Sequence, residues 1–80
     1  MGRETETQLE YRLTFQIVEG TNKGEKVEFE LELPPAPGKE DPLYFAWVRD
    51  AATAAGRQLL QQGKTRSGDL LPELISCEQL

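Results

Sequence analysis

Strict alternation of apolar and polar residues runs through two stretches of this chain, on either side of a glycine-bounded turn. Tyr11, Leu13, Phe15 and Ile17 form the first run; Val27, Phe29, Leu31 and Leu33 form the second. Residues two apart on a strand share a face, so each run places its large side chains on one side of a sheet. Lys26, Glu28, Glu30 and Glu32 then point the other way. The pattern predicts an antiparallel hairpin over 9–18 and 25–33, with one apolar face and one acidic face. A turn through Gly20 to Gly24, symmetric about Asn22, pairs Ile17 with Val27, Phe15 with Phe29, Leu13 with Leu31 and Tyr11 with Leu33. In that register Arg12 stands opposite Glu32, and Gln16 opposite Glu28. A slip of one residue would bury the glutamates and is excluded.

The apolar face needs a cover, and the next segment supplies one. Pro34-Pro35-Ala36-Pro37-Gly38 ends the second strand, because proline has no N–H for a ladder. Asp41 followed by Pro42 marks a helix start, and Gly63 marks its stop, which predicts a helix over 42–62. Tyr44, Trp47, Val48, Ala51, Ala52, Ala55 and Leu59 fall on one stripe of it. The alanines at the middle of that stripe let helix and sheet approach closely. Phe45, Gly56 and Leu60 lie to one flank, where the main stripe does not use them. They either pack under the C-terminal segment or contact a partner, a glycine on the helix permitting close approach.

Past the helix the signals divide. Leu70, Leu71, Leu74 and Ile75 match a short helix capped by Ser67 or Asp69; a third strand over 73–79 would instead bury Ile75 and Cys77. A lone hairpin is a marginal sheet, which favours the strand. The expected fold class is therefore α+β, a small antiparallel sheet covered on one face by a long helix. Residues 1–8 are polar and without period and read as a disordered tail, leaving 9–80 as a single domain.

Composition narrows the chemistry. Fourteen carboxylate side chains against nine basic ones give a net charge of −5, which repels nucleic acid and anionic membrane. There is no histidine, so the commonest general base and the histidine-activated nucleophiles are missing. The single cysteine, Cys77, excludes an internal disulfide, and its neighbour Glu78 opposes thiolate formation. Residues 1–10 lack the apolar core of a signal peptide, and no apolar run approaches the ~20 residues of a membrane span; a reduced, cytoplasmic setting is expected. No cofactor, metal or small-molecule substrate is implied.

Short motifs add little. Gly20 to Lys26 has the wrong glycine spacing for a phosphate loop, with Glu25 where the lysine belongs. Glu6 spoils a myristoylation signal, and the polar Glu78-Gln79 spoils a prenylation box ending at Leu80. Pro34 to Lys39 matches a proline-rich ligand pattern as well as it matches a strand-to-helix connection.

An 80-residue domain buries only roughly 60–65% of its extended-chain surface, so association would widen a thin stability margin. The leading expectation is a small non-enzymatic protein-binding module, self-associating or a subunit of a larger assembly. Its candidate contact residues are Phe45, Gly56 and Leu60 on the helix flank and Arg12, Glu28, Glu30 and Glu32 on the outer sheet face. One alternative is an acidic decoy that occupies a cationic nucleic-acid-binding groove. Another is an accessory subunit of an enzyme.

Overall fold

Leu13 and Phe15 lose all exposure to solvent, and Tyr11 and Ile17 nearly all, because the strand that carries them runs through the middle of the sheet. The computed structural model describes residues 8–80; the tail expected at 1–8 lies outside them except for Gln8. Four elements follow in order: β1 (Leu9–Gln16), β2 (Lys26–Leu33), α1 (Leu43–Gln61) and β3 (Glu73–Gln79). The sheet order is β2-β1-β3 and both pairings are antiparallel. The α+β class is thus observed, and the segment after the helix resolves as a strand.

One buried cluster joins sheet and helix. It contains Tyr11, Leu13, Phe15, Ile17 and Phe29 from the hairpin with Trp47, Ala51, Ala52, Ala55 and Leu59 from α1. Val27, Leu31, Leu33, Val48 and Leu74 pack around it, half-buried. Ala51 and Ala55 are completely buried within it. At the aromatic end Trp47 meets the Tyr11 ring edge-on at 5.2 Å and stacks on Tyr44 at 6.3 Å. The polar tips of both core rings are satisfied by the proline-rich connection. Trp47 Nε1–H donates to the Pro34 carbonyl at 2.8 Å, and the Ala36 N–H donates to the Tyr11 hydroxyl at 2.9 Å. Those two bonds tie the mostly exposed connection to the core.

The helix begins and ends as its flanking residues dictate. The Asp41 carboxylate accepts the Leu43 N–H at 2.9 Å, satisfying one of the first-turn donors. At the other end Gly63 takes φ +78°, its N–H bonds Leu60 O, and the Lys64 N–H bonds Leu59 O. Those two bonds make a Schellman cap, which a residue with a Cβ would strain.

Two expectations are corrected. The hairpin register is shifted by two residues, with Phe15 opposite Val27, Leu13 opposite Phe29, Tyr11 opposite Leu31 and Leu9 opposite Leu33. Arg12 therefore faces Glu30 rather than Glu32, and Gln16 faces Lys26 rather than Glu28. A two-residue slip leaves every side chain on its face, so alternation cannot detect it; the turn decides. Ile17 and Glu25 still bond across the hairpin, and Gly20 and Gly24 take φ +99° and +93° inside a tighter loop centred on Thr21.

The second correction concerns β3. Its pairing with β1 shifts by one residue between Thr14 and Phe15, so that Leu74 rather than Ile75 lies opposite Phe15 and joins the core. Ile75 is the extra residue of a β-bulge and stays 45% exposed. Cys77 lies opposite Leu13 yet is exposed as well. α1 covers β1 and leaves the inner face of β3 largely open.

Ala55→Leu is expected to destabilise the domain by about 1–3 kcal/mol, because extra methylenes have no room between helix and sheet. Urea denaturation of the two chains measures it.

Candidate functional site

The outer sheet face is acidic. Cross-strand partners share a face, so Glu10, Glu28, Glu30, Glu32, Glu73 and Glu78 lie on it, against only Arg12 and Lys26 as basic groups. Arg12 stands on the central strand between two carboxylates. Its guanidinium reaches Glu30 at 3.5 Å and Glu78 at 3.3 Å, all three side chains being substantially exposed. Such pairs add only about 0–1 kcal/mol each, and they locally neutralise the middle of the face. Glu28 faces Thr14, and Glu32 faces Glu10; both glutamates are exposed. The four outer-face residues named from the sequence are thus on one surface, but only Arg12 and Glu30 touch, and Glu78 is a partner the hairpin pattern could not supply.

The helix-flank residues separate. A Cβ on Gly56 would lie 3.0 Å from Leu71 Cδ2 and 3.8 Å from Pro72 Cδ, so the chain entering β3 crosses the helix at that glycine. Leu60, one turn later, is 45% exposed. With Gly56, Arg57, Leu70 and Leu71 it walls a shallow groove of about 210 Å³. Phe45 is 74% exposed. Eleven residues before Gly56, it shares that residue's azimuth about three turns away, roughly 16 Å along the axis at 1.5 Å per residue. Leu70 and Leu71 belong to the same surface; the sequence offers them to a short helix and not as contact residues, since their exposure follows from the path of the loop.

A polar junction ties the hairpin turn to the loop after the helix. Lys64 is ion-paired with Glu25, and the Leu70 N–H donates to the Glu19 carboxylate at 2.6 Å. Asp69 Oδ2 accepts the Arg66 N–H at 2.9 Å and would lie 3.1 Å from a Cβ on Gly20. The cleft at this junction, about 340 Å³, therefore has Lys64 and Asp69 already engaged. Hydrogen bonds from the Lys64 ammonium and then the Asn22 amide, with the Lys64 charge, hold the Glu25 carboxyl below its usual range. Desolvation pushes the pKa of the exposed Cys77 thiol up from its ordinary value, which favours the protonated form. Among the described residues no three histidine, cysteine or acidic side chains converge to hold a metal ion, and no helix is long and apolar enough to cross a membrane.

The two sheet edges differ. β1 bonds β2 through its odd-numbered residues, as Ile17 N–H to Glu25 O shows, and bonds β3 through its even-numbered ones, as Leu80 N–H to Glu10 O shows. On β2 the main-chain groups that point away from β1 are then those of Lys26, Glu28, Glu30 and Glu32, every one with a charged side chain. On β3 they are those of Cys77 and Gln79, opposite Leu13 and Tyr11, and both side chains are uncharged. No described strand pairs with either edge.

Because the Glu25 pKa is depressed on folding, its stabilisation is present above the ordinary glutamate value of about pH 4.3 and fades as the pH falls through the folded value. Glu25→Gln should therefore be less stable than the parent chain at pH 7, with the gap closing below about pH 4 in thermal melts across pH. No protein-family model, curated protein or solved structure matches the chain.

Proposed function

We propose that this chain is a small non-enzymatic protein-binding module, self-associating or a subunit of a larger assembly, and that it binds by accepting a further strand at β3. The contrast between the two edges carries this reading. Unpaired strand edges are ready templates for another chain, and charged side chains are a common means of blunting them. β2 has that protection at Lys26, Glu28, Glu30 and Glu32, four charged side chains in eight residues; β3 has two in seven, Glu73 and Glu78, and none at Cys77 or Gln79. The exposed apolar side chains Leu60, Leu70, Leu71 and Ile75 lie on the helix flank and on the path into β3, where an added chain would cover them.

The other readings draw less support. A decoy for a nucleic-acid groove needs an uninterrupted acidic track, and Arg12 divides this one between Glu30 and Glu78. An accessory subunit of an enzyme would use the same edge and groove, with the catalytic groups on the other chain.

Proline substitution tests the edge directly. The Cys77 N–H points away from β1, so Cys77→Pro removes a donor only from the free edge. Ser76 lies opposite Thr14 in a bonded pair, so Ser76→Pro breaks the sheet itself. In pull-downs from an extract of the native cell, Cys77→Pro should lose the proteins that the parent chain and Cys77→Ser retain, while its melting curve stays close to that of Cys77→Ser. Ser76→Pro should melt far earlier. Retention unchanged in both Cys77→Pro and Leu60→Asp would remove the proposal.

A further inference from the structure

We infer that the chain paired with the β3 edge is a second copy of this protein, related by a two-fold axis beside Cys77; the inference rests on the strand-addition reading above and names its occupant. The bulge at Ile75 interrupts the ladder to β1, and beyond it the main-chain groups on the free side of β3 are those of Cys77 and Gln79. An isologous contact must bring outward-pointing main-chain groups together, which places the axis at Cys77 or Gln79 through a bonded pair or at Glu78 between them; an axis at Gln79, the last residue of β3, pairs far fewer of its residues than one at Cys77. An axis at Glu78 sets the two Glu78 carboxylates against each other, a like-charge contact that costs stability. An axis at Cys77 sets Glu78 against the second copy's Ser76, and Ile75 against its Gln79. No carboxylate side chain then faces another, and Arg12, already on Glu78, remains to neutralise it on the outer face.

Charge also explains why assembly stops at two. Joining two sheets at β3 gives six strands with β2 at each end, and both new edges carry Lys26, Glu28, Glu30 and Glu32. A further copy approaching either end meets those glutamates with glutamates of its own, whereas the two-fold contact closes on itself. A stable dimer buries on the order of 1,000 Å² or more, beyond what a short edge provides. Ile75 and Leu80, 45% and 49% exposed and at the two ends of the paired stretch, must therefore be covered with it.

Sedimentation equilibrium of the full chain under reducing conditions tests this. The parent chain and Cys77→Ser should both run at twice the chain mass of 9.0 kDa, and Cys77→Pro at the single mass with its circular dichroism unchanged. A short bismaleimide should join parent copies through Cys77 and leave Cys77→Ser unlinked, because opposed Cα atoms of a bonded pair lie about 5.5 Å apart. Ile75→Glu, at an exposed bulge position, should lower the dimer fraction without unfolding the chain. A parent chain that stays single at every concentration overturns the inference, and so does a dimer that survives Cys77→Pro. If a single-mass parent chain still captures extract proteins that Cys77→Pro loses, the second copy is wrong while strand addition by another protein stands. If both tests fail, strand addition falls as well.

Discussion

Burial of the alanine stripe of α1 in one cluster with the apolar face of the sheet is the contact from which the remaining structure follows. Ala51 and Ala55 are fully buried, as are Leu13 and Phe15. With larger residues at 51 and 55 the helix would stand off and the Trp47 indole could not reach Pro34. Once the helix lies over β1, its width is spent. β2 gains partial cover because the hairpin curls its Val27, Phe29, Leu31 and Leu33 toward the same cluster. β3 gains little, and its exposed inner face is the direct result of covering a three-stranded sheet with one rod.

Much of this was legible from residue order. Alternation at Tyr11 to Ile17 and Val27 to Leu33 named the buried face correctly, and the 100° stripe from Trp47 to Leu59 named its cover. Asp41 and Gly63 bounded the helix to within a residue or two. What escaped had a physical cause in each case. Register survives a two-residue slip without disturbing any face, so it is set by the glycine conformations at Gly20 and Gly24. The bulge beside Ile75 inverts the inside–outside rhythm of β3 and sent Leu74 inward in its place. No local rule announces such an insertion before the partner strand is known.

The candidate site shows the same division. Glutamates on the outer face were readable from the hairpin alone, but their relation to Arg12 was not, because Glu78 arrives from a strand 66 residues away. At Gly56, which the sequence offers either to the C-terminal segment or to a partner, the approaching groups are the chain's own Leu71 and Pro72. Phe45 and Leu60 were placed on one flank with it, and they remain exposed on either side of that crossing. The difference between the two sheet edges emerges only when side-chain parity and main-chain bonding parity are read together on the central strand.

One consequence follows from the position of β3 at an edge of the sheet. It is held along one side only, by a ladder interrupted at its start, and nearly all of its side chains face water. Regions with few buried contacts open at the lowest free-energy cost, so β3 is the part of the molecule that detaches first. A chain bound along its free side would select the closed form and stabilise the whole domain by mass action, so that binding there and cohesion of the fold would share a single equilibrium.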